Sequence, residues 1–424
     1  MERFASRRRC LIPENFFNIR PLLPSLPPPP LHPVTGSPLV PEDLRAIFAP
    51  GFVAHEAATE TLVPVPAKAM EVLELWRPTP LVRAVGLERH LGVKSRILYK
   101  YEGVSPTGSH KSNTAVVQAC LAAADGVGAL VTETGAGQWG SALAHACTRF
   151  GLRTKVFMVR ASFRQKPGRK AMMNLFDAEV VESPSASTAS GRAASAGDPD
   201  HPGSLGIAIS EAVEEVVTGG CAKYALGSVL DAVLMHQTLI GQEALAQLRE
   251  MGCEPDVVIG CVGGGSNFAG LAFPMLGEVL KGRMKCRFVA VEPEACSSLI
   301  RGSLRYDNGD CAGLTPLLYM HTLGRDFVPP PIHAGGLRYH GMAPLVSHCV
   351  ASGLVEPLAL GQDEVFRAAR AFLNAEGILP APESAHAVAA AIREALEAER
   401  QGFAMTILFN LSGHGLFDMS AYAS

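Results

Sequence analysis

The sequence predicts an α/β protein whose sheets are mostly parallel. Predicted strands and helices alternate from Arg77 onward, and the predicted strands are continuous apolar runs. Strands have this composition when helices cover both faces of a parallel sheet. The chain of 424 residues is long enough for two to three domains, on a prior of about 150 residues for each.

The alternating elements can be placed along the chain. Strands are predicted at Arg96–Lys100, Gly128–Thr132, Lys155–Val159, Glu179–Val181, Asp256–Val262, Arg287–Val291 and Met405–Asn410. Helices are predicted over 115–124, from Trp139, over 164–177, 207–217 and 229–250, from Phe268, and over 361–377 and 383–399. The stretches 183–206 and 302–345 are rich in small residues, glycine or proline and are predicted to be irregular.

The first part of the chain follows a different pattern. Residues 1–12 carry several arginines together with Glu2, and we expect a loose tail there rather than a transit peptide. Residues 21–43 are rich in proline, which favours an extended segment and excludes a central strand. This segment could be a linker, a ligand for another protein, or an arm lying across the main body.

Composition narrows the class of protein. Lys+Arg 37 against Asp+Glu 40 gives a net charge of −3, which provides no basic field for nucleic acid. The 10 cysteines form no C-x-x-C pair, so neither a zinc site nor a disulfide framework is indicated. A reducing, cytoplasmic setting is therefore expected. No uninterrupted apolar run is long enough to cross a membrane.

One lysine, Lys111, lies among small and hydroxyl residues in the segment Thr107–Thr114, directly before an apolar run. Small residues ahead of a helix leave backbone N–H groups free to bind an anion. A lysine held there away from water can lose its proton and act as an amine nucleophile. Lys111 is thus a candidate catalytic residue, although most lysines are solvated surface charges.

Three further polar, glycine-rich clusters follow predicted strands, at 133–138, 263–267 and 411–415. Ligands of open α/β sheets bind beyond the carboxyl ends of strands. In the second cluster three glycines precede Ser266 and Asn267, which suits a phosphate at the start of a helix. A tight strand-to-helix turn is the alternative. The cluster is neither a dinucleotide fingerprint nor a P-loop.

The other clusters add acid/base and hydroxyl groups. Glu133 is either partly buried with a raised pKa, which suits a general acid/base, or solvated at the rim. The loop Thr134–Gln138 offers N–H groups suited to a substrate carboxylate. Ser412 could be a helix cap or loop hydroxyl, or the neutral partner of a cofactor ring nitrogen. The amine, the phosphate cradle, the carboxylate loop and the hydroxyl together fit pyridoxal phosphate.

On these motifs the chain resembles the tryptophan synthase β-chain family, and in particular its second subgroup of stand-alone enzymes. The resemblance runs from about Asn15 to the end and is carried by 27–33, 77–81, 108–115, 133–140, 225–228, 263–267, 333–341, 376–383 and 410–418. It implies a fold-type II pyridoxal-phosphate enzyme with two three-layer α/β domains and the cofactor between them. We expect a tail and arm over 1–65, a domain with the lysine over 66–230, and a domain with the phosphate loop over 231–424.

The resemblance also implies residue roles. Lys111 matches the Schiff-base lysine, and Glu133 matches the acid/base near indole. The phosphate site is matched by His110, Gly263, Gly264, Gly265, Ser266 and Asn267. The carboxylate loop is matched by Thr134, Gly135, Ala136, Gly137 and Gln138. Ser412 matches the partner of the ring nitrogen, and Glu383 matches a carboxylate near the cofactor ring.

Several positions depart from the family pattern. Trp139 stands where the main subgroup has histidine, and Ser112 stands where close relatives carry proline. Arg338 stands where the main subgroup places an aspartate thought to hold the substrate hydroxyl. A guanidinium facing the site suits an anionic leaving group, so O-phosphoserine is considered beside serine. The alternative is an arginine that braces its loop.

The resemblance implies a lyase that makes L-tryptophan from indole and L-serine, in the biosynthesis of aromatic amino acids. Alternatives are a serine or threonine deaminase, another β-replacement enzyme, or a non-catalytic subunit. A homodimer is implied as well. The divergent N-terminal arm makes an α-subunit partner doubtful.

Overall fold

Two sheets organise the chain in the computed structural model, which describes residues 11–423. The strands are β1 (Asn15–Phe17), β2 (Leu62–Pro64), β3 (Leu81–Arg83), β4 (Arg96–Tyr101), β5 (Ala129–Thr134), β6 (Arg153–Val159), β7 (Glu179–Ser183), β8 (Lys223–Tyr224), β9 (Val257–Cys261), β10 (Arg287–Pro293), β11 (Ser303–Asn308), β12 (Leu317–Thr322), β13 (Glu356–Leu360) and β14 (Thr406–Leu411). The six-stranded sheet has the order β13-β10-β9-β14-β4-β3, and the four-stranded sheet has the order β7-β6-β5-β8. Every pair in them is parallel except β3 with β4.

Helices cover both sheets. They are α1 (Pro41–Leu44), α2 (Pro50–Glu56), α3 (Ala67–Leu73), α4 (Val85–Leu91), α5 (Lys111–Ala124), α6 (Gln138–Phe150), α7 (Arg160–Gln165), α8 (Pro167–Leu175), α9 (Ala189–Ser195), α10 (Leu205–Gly219), α11 (Asp231–Gln237), α12 (Leu239–Met251), α13 (Ser266–Leu280), α14 (Ser298–Arg301), α15 (Pro344–Ala351), α16 (Gln362–Glu376), α17 (Ser384–Arg400) and α18 (Ser420–Ala423). The α/β fold with mostly parallel sheets that the sequence predicts is confirmed. Within residues 11–423, no helix combines the length and the apolar composition needed to cross a membrane.

The two sheets do not follow the division of the chain at 230/231. The strands β3 and β4 precede Lys111, yet β4 pairs with β14 near the end of the chain. The small sheet contains only strands between Ala129 and Tyr224. By their pairing, β3 and β4 belong to the six-stranded sheet, most of whose strands come from the second half of the chain. The domain boundaries 1–65, 66–230 and 231–424 stay a prediction.

Three local predictions are corrected. The predicted helix 229–250 is two helices that meet at Thr238. The N–H and the Oγ1 of Thr238 both donate to the Met235 carbonyl, at 3.0 and 2.6 Å, and Oγ1 accepts a hydrogen bond of 2.8 Å from the Phe17 N–H. The stretch 183–206 contains helix α9, whose first turn is capped by Thr188 Oγ1. The stretch 302–345 contains the antiparallel pair β11 and β12, although most of the rest is irregular.

The proline-rich segment lies against the main body, as one of the three sequence interpretations proposed. Leu31 exchanges backbone hydrogen bonds of 2.9 Å with Leu317 at the start of β12. The Tyr306 hydroxyl donates to the Pro29 carbonyl at 2.9 Å. The strand β1, which precedes this segment, pairs with the strand β2, which follows it. The loose tail predicted for residues 1–12 lies, up to residue 10, outside the described residues.

A buried ionic network holds the start of α5 against the larger sheet. Arg77 donates to Glu243 at 2.7 Å and to Glu102 at 3.1 Å, and all three side chains are shielded from solvent. Lys100 donates to Glu243 at 2.8 Å. Arg77 also donates to Asn113 at 2.8 Å, in the first turn of α5. The network therefore fixes the first turn of α5 through Asn113, and with it the backbone position of Lys111 two residues earlier.

Candidate active site

The candidate active site is a cavity at the carboxyl ends of β5, β9 and β14, where sequence reasoning places ligands of such sheets. One end carries the charged and glycine-rich groups. The other end is apolar and reaches the N-terminal arm. The predicted residues that line it are His110, Lys111, Glu133, Thr134, Gly135, Ala136, Gln138, Gly263, Gly264, Gly265, Ser266, Asn267, Glu383 and Ser412. The structure thus brings together residues from 110 to 412.

Lys111 is the first residue of α5, and its side chain lines the cavity. Burial lowers the pKa of its amine, and this outweighs the opposite effect of the carboxylates of Glu383 and Glu133. The preceding backbone is fixed, because the His110 N–H donates to the Ser412 carbonyl at 2.8 Å. An amine with a lowered pKa at a fixed position can act as a nucleophile or a base.

The segment Gly263–Gly265 forms the predicted cradle between β9 and helix α13. A Cβ at Gly263 would lie 2.6 Å from the Gly336 carbonyl oxygen, and one at Gly264 would lie 2.6 Å from Ser228 Oγ. Gly265 has φ 99°, a conformation that side chains disfavour. Only glycine therefore allows this backbone at the mouth of a helix N-terminus, where the helix dipole attracts an anion.

His110 supplies the observation that tests whether a phosphate fits. Its Nε2 is buried and has no hydrogen-bond partner among the described residues. Burial, and then the charge of Lys111, lower the pKa of His110 to about 3. The ring is therefore neutral at physiological pH and carries one N–H. Its Nδ1 lies 3.4 Å from the Ser412 carbonyl oxygen, a long contact, so the proton can instead reside on Nε2 and point at an acceptor in the cavity. The unpaired, buried Nε2 and the glycine cradle fit a bound phosphate group.

The two polar residues after the glycines, Ser266 and Asn267, form hydrogen bonds with other groups of the protein. Asn267 donates to the Cys261 carbonyl at 2.6 Å, and its Oδ1 accepts from Asn410 at 2.6 Å. Ser266 Oγ donates to the Gly227 carbonyl at 3.2 Å. The Asn267 side chain thus fastens the end of β9 to β14, and only part of its surface lines the cavity.

Ser412 follows β14 and presents its hydroxyl to the cavity. Ser412 Oγ lies 2.8 Å from Ser384 Oγ, and Cys261 Sγ lies 3.8 Å away. No carboxylate of the described residues hydrogen-bonds Ser412, so a ring nitrogen beside it would meet a neutral hydroxyl. A hydroxyl does not hold such a nitrogen protonated as a carboxylate would, which favours elimination chemistry.

Glu133, near the end of β5, is buried rather than solvated at the rim, which decides between the two sequence interpretations. Burial raises its pKa to about 7, against the hydrogen bond from Tyr224 and the charge of Lys111. A carboxyl group with this pKa can exchange a proton near neutral pH. Glu133 lines the same cavity as Lys111 and can act on a second substrate there.

The loop Thr134–Gln138 turns from β5 into helix α6. Thr134 Oγ1 accepts from the Gly137 N–H at 3.1 Å, which closes the turn. Gly137 itself does not line the cavity. Gly135, Ala136 and Gln138 line it at the N-terminus of α6, where the first N–H groups of a helix lack partners within it. This arrangement suits a carboxylate.

Glu383 lies directly before α17, and its side chain is held from two sides. The Gly336 N–H donates to it at 2.7 Å and Gln138 Nε2 donates at 3.0 Å. Burial opposes ionisation, but Lys166 and these hydrogen bonds outweigh it, so the pKa of Glu383 is lowered. The residue therefore presents a fixed carboxylate beside the substrate loop.

Arg338 does not line the main cavity. Its guanidinium donates to Ser162 Oγ at 2.6 Å and lies behind the loop that contains Gly335. It borders a small adjoining pocket that also includes Gly135 and Gly335. In this arrangement Arg338 braces the loop, and only a rearrangement would bring it to a leaving group.

The other two positions that depart from the family pattern are buried. Trp139 lines the cavity, and its Nε1 donates to Thr132 Oγ1 at 2.6 Å. Ser112 Oγ lies 2.9 Å from Thr107 Oγ1, which ties the segment before Lys111 to the first turn of α5. Both side chains therefore support the strand and the turn that present Glu133 and Lys111.

The apolar end of the cavity is built by the N-terminal arm together with α10, the segment after β8 and strand β12. It is lined by Leu44, Ile47, Phe48, Ile209, Val213, Leu226, Leu230 and Leu318. The ring of Tyr224 packs on Phe48 with centroids 5.6 Å apart, and its hydroxyl bonds Glu133, so one carboxyl group adjoins this uncharged surface. Such a surface suits a planar, uncharged molecule with a single polar group.

Sequence reasoning missed several residues of the site. Tyr224 donates from its hydroxyl to Glu133 Oε2. Ser384 positions the Ser412 hydroxyl, and Ser228 Oγ accepts from the Ser266 N–H at 3.2 Å. The available signals were weak: Tyr224 directly precedes the motif 225–228, Ser228 ends it, and Ser384 follows Glu383.

The fold and the site define a pyridoxal-phosphate-dependent enzyme. The family model described as pyridoxal-phosphate dependent enzyme matches residues 72–413. Among solved structures, the chain resembles a fungal L-serine ammonia-lyase from Rhizomucor miehei, with a TM-score of 0.60, 14% identity and coverage of 81% of this chain and 96% of the other. It also resembles a threonine deaminase from T.th., with a TM-score of 0.58, 23% identity and coverage of 83% and 98%. Identities this low establish the fold alone.

Curated relatives are much more similar. The tryptophan synthase beta chain 2 of Thermotoga maritima is 55% identical over 411 residues, which are 97% of each chain. The protein of the same name from Aeropyrum pernix is 56% identical over 97% of this chain and 92% of its own length. The chain belongs to the tryptophan synthase β-chain family.

Proposed function

We propose that the chain is a pyridoxal-phosphate-dependent lyase that forms L-tryptophan from indole and L-serine by β-replacement. The observation that carries the proposal is the cavity itself, in which the amine of Lys111 and the carboxyl group of Glu133 line one space with an apolar end. The reaction needs an amine that attaches the cofactor and moves the Cα proton of the amino acid. It also needs a proton acceptor in an apolar pocket, where indole can bind and lose its proton. The name and 55% identity of the relatives support the same activity.

The residues around the phosphate cradle would hold the cofactor. The backbone of Gly263–Gly265 and the free Nε2 of His110 would bind its phosphate, and Ser412 would meet its ring nitrogen. Glu383 would lie beside its ring. Bound pyridoxal phosphate draws electrons from the amino acid, which weakens the Cα–H bond and lets the β-substituent leave.

The remaining steps belong to side chains of the protein. Lys111 would attach the cofactor through its amine, give it up to the incoming amino acid, and then take and return the Cα proton. The loop Thr134–Gln138 would bind the carboxylate of the amino acid. Glu133, with its pKa raised to about 7, would accept the proton of indole when the β-carbon is attacked.

The leaving group is the open choice within this reaction. Serine loses hydroxide, and O-phosphoserine loses phosphate. The bond from Arg338 to Ser162 and the position of Arg338 behind Gly335 favour serine, because the guanidinium does not line the cavity. Turnover of O-phosphoserine alone would require Arg338 to move to the phosphate.

Two other functions use the same fold. A serine or threonine deaminase would release the keto acid without a second substrate, and another β-replacement enzyme would use another nucleophile. Glu133 in the apolar cavity favours indole, since a deaminase has no need of a carboxyl group there. A non-catalytic subunit would not need the lysine, the cradle and Glu133 together.

We infer a homodimer in a cytoplasmic setting from the family resemblance and the scattered cysteines. The Pro-rich arm packs along β12, and the segment after it supplies the apolar wall at Phe48, so a place for the arm at an α-subunit interface is doubtful. Neither a nucleic-acid partner nor a membrane partner is proposed.

Tryptophan formation by the purified, cofactor-loaded chain tests the proposal. Indole is supplied with serine or with O-phosphoserine, without an α-subunit, and tryptophan and pyruvate are measured. Tryptophan from serine is the expected result. Pyruvate without tryptophan from either donor would contradict it and favour the deaminase. Tryptophan only from O-phosphoserine would retain the β-replacement and assign Arg338 to the leaving group.

A further inference from the structure

We propose that Tyr224 is a positioning residue that holds Glu133 in the orientation and ionisation state needed for the second substrate. The contact between the two side chains is seen in the structure. Its consequence for catalysis rests on the proposed function. Neither the family motifs nor the predicted site includes Tyr224.

The contact with Tyr224 gives the two oxygens of the Glu133 carboxylate different surroundings. The Tyr224 hydroxyl donates to Oε2, and Thr132 Oγ1 lies 3.5 Å from the same oxygen. Both contacts are to Oε2, and no side chain of the described residues donates a hydrogen bond to Oε1. Since Glu133 lines the cavity, Oε1 is the oxygen left for a ligand, and the bond to Oε2 fixes the plane of the carboxylate.

The phenol of Tyr224 is itself held in place. Its backbone N–H donates to the Ile47 carbonyl at 2.8 Å, and its ring packs on Phe48 with centroids 5.6 Å apart. Lys223 Nζ donates to the Arg45 carbonyl at 2.5 Å. The segment 45–48 of the N-terminal arm thus clamps the short strand β8, which aims the Tyr224 hydroxyl at Glu133.

A buried phenol beside a buried carboxyl group acts as a donor. Burial, and then the charge of Glu133, raise the pKa of Tyr224, so the proton stays on the phenol. The groups that face Glu133 are Lys111 from α5, Thr132 from β5, Tyr224 from β8 and Tyr339 from the loop after the 3-10 turn Gly335–Leu337. The Tyr339 hydroxyl donates to the Gly309 carbonyl at 3.2 Å, so it does not compete for Glu133.

The sign of the effect follows from which form is stabilised. A donated hydrogen bond favours the carboxylate and so lowers the pKa of Glu133, against its burial. Loss of the Tyr224 hydroxyl therefore raises that pKa. A hydrogen bond to a charged group typically corresponds to a shift on the order of one pH unit.

The experiment is a titration of the Glu133 carboxyl group by 13C NMR of protein labelled at glutamate, with the signal assigned by its loss in Glu133→Gln. In Tyr224→Phe we expect the midpoint to move upward by about one pH unit. Incorporation of 3-fluorotyrosine at position 224, a stronger donor, should move the midpoint downward. The matched control is Tyr319→Phe, whose ring packs on Tyr306 outside the cavity and which should leave the midpoint unchanged.

The enzymatic readout follows the same direction. The acidic limb of kcat/KM for indole should move upward in Tyr224→Phe, so that activity lost at neutral pH returns at higher pH. A merely structural role would lower activity equally at all pH values. A Glu133 midpoint that is the same in wild type, Tyr224→Phe and the 3-fluorotyrosine protein would overturn the inference. Failure of the protein to make tryptophan would instead remove the proposed function and leave the titration result standing.

Discussion

Gln138 donates from Nε2 to Glu383 Oε2 at 3.0 Å, across 245 positions of the chain. This bond joins the loop predicted to bind the substrate carboxylate to the residue predicted to lie near the cofactor ring. The Gly336 N–H holds the other Glu383 oxygen. The loop Thr134–Gln138 and the segment 335–337 are thus connected through the carboxylate of Glu383.

Gln138→Leu should lower the free energy of unfolding by about 1–3 kcal/mol, because it leaves one oxygen of a buried carboxylate unsatisfied. The folded-state pKa of Glu383 is lowered, so this stabilisation is present above the unfolded value of 4.5 and is lost as pH falls through the folded value. Urea denaturation at pH 7 and at acidic pH measures both effects. Gln401→Leu, an exposed control, should change stability little; an equal loss in both variants would contradict the account.

Gly263→Ala should weaken cofactor binding about tenfold or more. Its Cβ would lie 2.6 Å from the Gly336 carbonyl oxygen, so the backbone of the cradle must shift. Loss of one hydrogen bond to a charged phosphate costs about 1.5–3 kcal/mol of binding free energy. Cofactor titration followed by absorbance gives the dissociation constant. The control is Gly219→Ala at the end of α10, where a Cβ meets nothing within 4 Å. An unchanged affinity in Gly263→Ala would show that the cradle tolerates a side chain and does not bind the phosphate closely.

Arg77→Met should lower stability by about 3–5 kcal/mol, because it leaves the buried carboxylates of Glu102 and Glu243 short of a partner. Thermal or urea unfolding of the variant measures the loss. Arg393→Met removes the half-exposed partner of the partly exposed Glu364 and should cost less than about 1 kcal/mol. Comparable losses in the two variants would argue that the network does not anchor α5.

Lys111→Ala should abolish the visible absorption band of the protein-bound cofactor, since the amine proposed to attach it is gone. The spectrum of the purified variant after cofactor loading and dialysis is the measurement. Lys170→Ala, at a lysine on α8 outside the cavity, should keep the band. A band retained in Lys111→Ala would remove this residue from its assigned role.

The sequence could predict the features that depend on local chemistry. The lysine before an apolar helix, the glycines after β9 and the carboxylate near the end of β5 each lie beside an element that the sequence predicts, at a strand end where ligands bind. Their convergence on one cavity depends on how the four-stranded sheet with β5 packs against the six-stranded sheet with β9, which local sequence does not reveal. The break at Thr238 could not be predicted, because one partner of its Oγ1 is the N–H of Phe17, 221 positions away. The same holds for Tyr224, whose partners lie in the arm and on β5. The direction of Arg338 depends on Ser162, which local sequence does not reveal.

The most direct test of the central claim distinguishes the role of Lys111 from the role of Glu133 in a single experiment. Cofactor-loaded protein is incubated with serine and indole in deuterated buffer, and deuterium at Cα of serine and formation of tryptophan are followed together. We expect both products with wild type, neither with Lys111→Ala, and Cα exchange without tryptophan with Glu133→Gln. Tryptophan formed by Glu133→Gln at the wild-type rate would contradict the account, because the reaction would then proceed without the carboxylate assigned to indole.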